Sequence, residues 1–133
     1  MTRHQLSSGA VIIDDTYNAS PSSVRAAIDL LALTSGQSIL VLGNMAELGA
    51  DSANLHAQTG LYARDRGIDQ LLTVGADAGQ AAKAFGPGAQ GFDSKEELVN
   101  QLMPGLDATT TVLVKGSRSS RMEDVVNAIN ERG

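Results

Sequence analysis

The chain has 133 residues, a single-domain length that suffices to bury a real core. Hydrophobic residues make up 42% and charged residues 19%, the composition of a folded globular protein rather than of a disordered segment. The net charge is -5, and the ten Lys and Arg are scattered instead of lined up with aromatic residues, which argues against a nucleic-acid-binding surface.

No apolar run approaches the roughly 20 residues of a membrane span, and Met1-Thr2-Arg3-His4-Gln5 lacks the apolar stretch of a signal peptide, so the expected compartment is the cytoplasm. There is no cysteine, and His4 and His56 stand alone, so neither disulfides nor a metal centre is expected. The core must come from Val, Ile, Leu and Ala, since the only aromatic residues are Tyr17, Tyr62, Phe85 and Phe92.

Taken in chain order, Thr2 to Leu6 followed by Ser7-Ser8-Gly9 reads as a short strand turning back on itself, which adds one antiparallel strand. Five apolar runs follow: Ala10 to Asp14, Ser38 to Leu42, Gln70 to Val74, Ala89 to Phe92 and Thr111 to Val114. Stretches of helical period separate them. Val24, Ala27, Ile28 and Leu31 make one stripe, opened by Ser20 as cap and Pro21 at the first helical position, where its missing N–H costs nothing. A second helix starts at Asp51 or Ser52 and runs to about Arg66, with Gly67 free to end it in the left-handed conformation. A third covers Ala78 to Phe85. The fourth and fifth open on Ser94-Lys95-Glu96-Glu97 and Ser120-Arg121-Met122-Glu123, both capping-box patterns. Strand followed by helix, repeated, predicts an α/β fold: a three-layer, Rossmann-like open sheet, mostly parallel, with right-handed crossovers.

In such sheets ligands gather beyond the carboxyl ends of the strands, where three polar loops fall. The first, Asp14 to Ser20, offers carboxylates for ribose hydroxyls, Tyr17 as a flat face for a base, and a helix N-terminus that favours anions. Equally, its acids could simply cap turns. The second, Gly43 to Asp51, is not a dinucleotide fingerprint, because Met45 stands where the second glycine is needed. Asn44 and Glu47 suit an ammonium or amide ligand; in the plainer alternative Glu47 is solvated while Met45 and Leu48 pack down. The third, Lys115 to Ser120, reads with Arg121 as an anion site, or else as a solvated basic turn. No G-x-x-x-x-G-K-S/T occurs, so the chain has no P-loop for ATP phosphates. His56, on a helix with no acid nearby in sequence, reads as a surface or satisfied histidine rather than a catalytic one.

Read in order, the three loops resemble the Mur ligase family, in the branch that uses D-alanyl-D-alanine. Asp14-Asp15-Thr16-Tyr17-Asn18-Ala19-Ser20-Pro21 is similar to D-D-S/T-Y-N-A-N-P, departing at Ser20. Leu42-Gly43-Asn44-Met45-Ala46-Glu47-Leu48-Gly49 is similar to L-G-D-M-x-E-L-G, with Asn44 for Asp. Val114-Lys115-Gly116-Ser117-Arg118 with Arg121-Met122-Glu123 is similar to V-K-G-S-R-x-x-R-M-E. The resemblance implies that residues 1–133 are the carboxy-terminal domain of a three-domain enzyme. Its partners are then its own amino-terminal and central domains, the latter holding ATP phosphates and magnesium. That enzyme phosphorylates a tripeptide carboxylate with ATP, and the amine of D-alanyl-D-alanine attacks the acyl phosphate to give an amide, ADP and phosphate. By resemblance Asp15, Tyr17 and Asn18 face the nucleotide, and Asn44, Glu47, Lys115, Ser117 and Arg118 line the dipeptide side. No residue here is implied to be catalytic, and the isolated domain is expected to perform no chemistry.

One alternative comes from another class. Paired acids after the first apolar run and a Lys after the last also describe a phosphoacceptor receiver domain. Against it, Lys115 precedes Gly116 rather than Pro, and Asp77 is displaced from the end of its strand into the following turn.

Overall fold

The computed structural model describes all 133 residues. An antiparallel hairpin joins β1 (Thr2–Gln5) to β2 (Val11–Asp15), and strand and helix then alternate through α1 (Pro21–Ala32), β3 (Gln37–Leu42), α2 (Ser52–Asp65) and β4 (Gln70–Val74). The chain continues through α3 (Ala78–Phe85), β5 (Ala89–Phe92), α4 (Lys95–Leu102), β6 (Thr110–Lys115) and α5 (Glu123–Arg132). The predicted elements are all present, and the sheet is parallel except for its β1–β2 edge.

Alternation along the buried strands makes two cores. Ile12, Ile39, Val41, Leu72, Val112 and Val114 face α4 and α5. Ile13, Leu40, Leu42, Leu71 and Leu113 face α1, α2 and α3. Helices on both sides of the sheet bury both faces, which is why these strands read as continuous apolar runs.

The strand order is β1-β2-β6-β3-β4-β5. Counting only the parallel strands from β2, the last lies between the first and the second, whereas a receiver sheet runs 2-1-3-4-5. The topology thus removes the receiver alternative. It also brings the carboxyl ends of β2, β6 and β3 side by side.

Local signals behave unevenly. Ser20 caps α1 as expected, its hydroxyl accepting from Ser23 N while Ser20 N donates to Ser23 Oγ at 2.8 Å. At Ser94 only half of the expected box forms, Ser94 Oγ accepting from Glu97 N at 3.1 Å without a return bond to the Glu97 side chain, and Gly67 takes φ 82° past the end of α2. The expected box at Ser120 does not form. Arg121 adopts φ 52°, α5 starts only at Glu123, and Ser120 Oγ turns back to donate to Ser117 O at 2.7 Å. The reason is tertiary: the left-handed turn drives Met122 into the core, fully buried.

On the outer helical layer Tyr62 Oη donates to Asp29 Oδ1 at 2.6 Å, and Arg66 Nε reaches the same oxygen at 2.9 Å. The Tyr62 bond, helped by Arg66 and opposed by desolvation, holds the Asp29 carboxyl below its ordinary range. The same bond pushes the Tyr62 phenol up. α2 and α3 approach closely at Gly60, where any Cβ would collide with the Ala81 carbonyl oxygen. No helix is long and apolar enough to cross a membrane.

Candidate functional site

The three loops meet at one edge of the sheet because β6 lies between β2 and β3. Its register sets Lys115 opposite Asp15 on one side and opposite Leu42 on the other. Lys115 is almost wholly buried, and its ammonium donates to Asp15 Oδ2 at 3.0 Å and to the Asn18 carbonyl at 2.7 Å. The third loop therefore holds the first. Asp14 closes the same loop from inside, accepting from Thr16 N at 3.2 Å and Thr16 Oγ1 at 2.7 Å.

A second seam joins the other pair of loops. Gly43 N donates to Lys115 O at 2.8 Å and Ser117 N to Asn44 O at 3.0 Å. Asn44 Oδ1 accepts from Ala78 N at 2.8 Å, which caps α3 and packs the carboxamide over Gly75. Met122 seats between Gly43 and Gly116, neither of which has room for a Cβ. Ser117 is buried, its hydroxyl accepting from Ser120 N at 3.3 Å.

Of the eight residues singled out from sequence, the structure thus turns three inward as ties: Asn44, Lys115 and Ser117. Asp15 is half-buried against Lys115, and Asn18 is exposed, its carbonyl taken by Lys115. Tyr17, Glu47 and Arg118 project outward. The Tyr17 ring is 74% exposed, far more than packing would leave it, with the Arg118 guanidinium 5.4 Å from its centroid. Glu47 is exposed, makes no hydrogen bond, and sits at φ 60°, a conformation rare outside glycine. A groove of about 260 Å³ beside the first loop is lined by Asp14, Asp15, Thr16, Tyr17 and Glu123. A larger depression of about 940 Å³ lies at the opposite, amino ends of the strands; it gathers glutamines and no cation, and its Asp69 and Asp107 are bonded to Ser38 and to Thr109 and Thr110.

His56 belongs to the site in a way the sequence did not signal. It is fully buried on α2, accepting from Met45 N at Nε2 (2.8 Å) and donating from Nδ1 to Ser52 O (2.7 Å). The only advance hint was a His preceded by Ser at the i−4 position. It carries no catalytic geometry, in keeping with the reading of a satisfied histidine.

An open, mostly parallel sheet with three loops at a strand-end crevice defines a Rossmann-like α/β domain. The family profile described as "Mur ligase, glutamate ligase domain" matches residues 1–118, and the chain belongs to the Mur ligase family. Within that family the relatives it resembles include UDP-N-acetylmuramoyl-tripeptide–D-alanyl-D-alanine ligases. The Escherichia coli K12 enzyme is 42% identical over 131 residues, covering 97% of this chain and 29% of the relative. A solved MurF from Acinetobacter baumannii superposes with a TM-score of 0.88 at 29% identity, covering 98% of this chain and 29% of that one. MurF from Thermotoga maritima, solved in complex with ADP, gives 0.86 at 26% identity, covering 97% and 30%. The chain thus spans under a third of the length of the relatives it matches.

Proposed function

We propose that the chain is the carboxy-terminal domain of an ATP-dependent, cytoplasmic amide ligase that joins D-alanyl-D-alanine to UDP-N-acetylmuramoyl-tripeptide in peptidoglycan synthesis. The observation that carries this reading is the convergence of the three family loops on one crevice, with Tyr17, Glu47 and Arg118 exposed at its rim and Arg118 stacked against Tyr17. In the whole enzyme ATP supplies the phosphoryl group that activates the tripeptide carboxylate as an acyl phosphate. The dipeptide amine displaces phosphate to form the amide.

The residues here fit the base and ribose edge of a nucleotide rather than its phosphates. Tyr17 presents an exposed ring, Asp15 lines the same groove and Asn18 is exposed next in the chain, but the nearest lysine is already committed to Asp15 and the Asn18 carbonyl. Phosphates and magnesium are assigned to the family's central domain. On the dipeptide side, the exposed Glu47 carboxylate suits an ammonium and the Arg118 guanidinium a carboxylate, the pairing that planar guanidinium geometry favours. Asn44, Lys115 and Ser117 support them by fixing the loops. Asn44 in place of the family's Asp removes a charge from this side, and its Oδ1 is occupied by Ala78 N. Closure of the domains assembles the reacting groups, so the chain alone performs no chemistry.

The test pairs the full-length ligase carrying this domain with the purified chain. The ligase is expected to form the D-alanyl-D-alanine amide with release of ADP, and the chain alone to release none. Steady ATP hydrolysis by the chain, or a ligase that prefers a different amine, would overturn the reading.

A further inference from the structure

We infer that His56 is a positioning residue for the loop that carries Glu47. This rests on the reading above, in which Glu47 receives the dipeptide ammonium.

The hydrogen bonds determine the state of the ring. A carbonyl cannot donate, so Nδ1 carries the proton given to Ser52 O; a backbone amide cannot accept, so Nε2 is a bare acceptor for Met45 N. The buried ring is therefore the neutral Nδ1–H tautomer, and Nδ1 also lies 3.4 Å from Ser52 Oγ, which is bonded onward to Asp77 Oδ2 at 2.8 Å. The second loop is anchored at Gly43, Asn44 and Met45, and Ala46 and Glu47 make no hydrogen bond of their own. The Met45 bond is the last fixed point before Glu47 enters its left-handed conformation. With the Met45 side chain buried under α1 and α2, His56 sets the direction in which the chain leaves the core. It acts on the ligand only through the backbone.

Two substitutions separate this role from simple core packing. His56→Leu fills the space without an acceptor, whereas His56→Gln places Oε1 near the position of Nε2. In the full-length ligase, His56→Leu is expected to raise KM for D-alanyl-D-alanine about tenfold, as for a buried donor left unpaired, with KM for ATP unchanged. His56→Gln restores most of the loss. Equal behaviour of the two variants, a parallel rise in both KM values, or an unchanged dipeptide KM would overturn the inference. Hydrogen exchange of the Met45 amide in the chain itself tests the anchor whatever the amine substrate proves to be. Protection lost in His56→Leu and kept in His56→Gln supports it, while equal protection in both refutes it. A ligase that ignores D-alanyl-D-alanine would sink the functional reading and, with it, the role assigned through Glu47, but would leave the anchor itself decided by exchange.

Discussion

Lys115 and Asp15, a hundred residues apart in the chain, form an ion pair of 3.0 Å in which the lysine is almost completely withdrawn from water. A buried ammonium is costly unless paired and hydrogen-bonded, and here one carboxylate and one carbonyl satisfy it. Replacing it should therefore loosen the fold and the first loop together. Lys115→Met is expected to cost about 2 kcal/mol, less than a fully buried pair because Asp15 retains some solvent contact. Urea unfolding measures the cost, and amide shifts at Tyr17 and Asn18 should report the freed loop; a change below experimental error would show that the pair is dispensable.

Tyr17 behaves oppositely, since little of its ring is buried. Tyr17→Ala should leave the melting temperature of the chain unchanged, yet raise KM for ATP in the full-length ligase about tenfold, the worth of one base stack. An unaltered KM would remove Tyr17 from the nucleotide side.

The Tyr62–Asp29 bond links stability to pH in two directions. The Asp29 carboxyl lies below its ordinary value of 3.8, so its contribution is present above that pH and disappears as pH falls through the lower folded value. Tyr62 lies above its ordinary value of 10.0, so its contribution is present below that pH and is lost as pH rises through the folded value. Tyr62→Phe should abolish the alkaline limb and shrink the acid limb, leaving what Arg66 still supplies. Thermal melts from acid to alkaline pH give the answer, and two unchanged limbs would refute the linkage.

Gly60 tests helix packing. Alanine is the better helix former by about 1 kcal/mol, yet Gly60→Ala is expected to destabilise the chain by a net of about 2 kcal/mol, because its methyl would collide with the Ala81 carbonyl oxygen. A variant more stable than wild type in urea would mean that α2 and α3 can separate at little cost.

Much of this architecture was legible in the chain itself. Ser20-Pro21 marked the start of α1 because capping is local chemistry, and the apolar runs marked the buried strands because both faces of the sheet are covered. The site was legible as three loops with their polar residues, but not as a division of labour among them. Lys115 reads, with the basic loop it opens, as part of an anion site, yet its side chain is internal and bonded to Asp15. The failed cap at Ser120 has the same origin, since Met122 finds space between two glycines 73 positions apart, Gly43 and Gly116, that no local pattern relates.

The sequence alone determined the elements and the three family loops, which depend on contacts within a turn or two of chain, and the mostly parallel sheet, which follows from strand–helix alternation and runs buried on both faces. The tertiary structure decided that β6 enters between β2 and β3, and with it which side chains tie the loops together and which reach outward. That choice rests on packing and pairing between distant segments: the burial of Lys115 against Asp15, the seat of Met122, and the reach of His56 to Met45 exist only once the strands are in order.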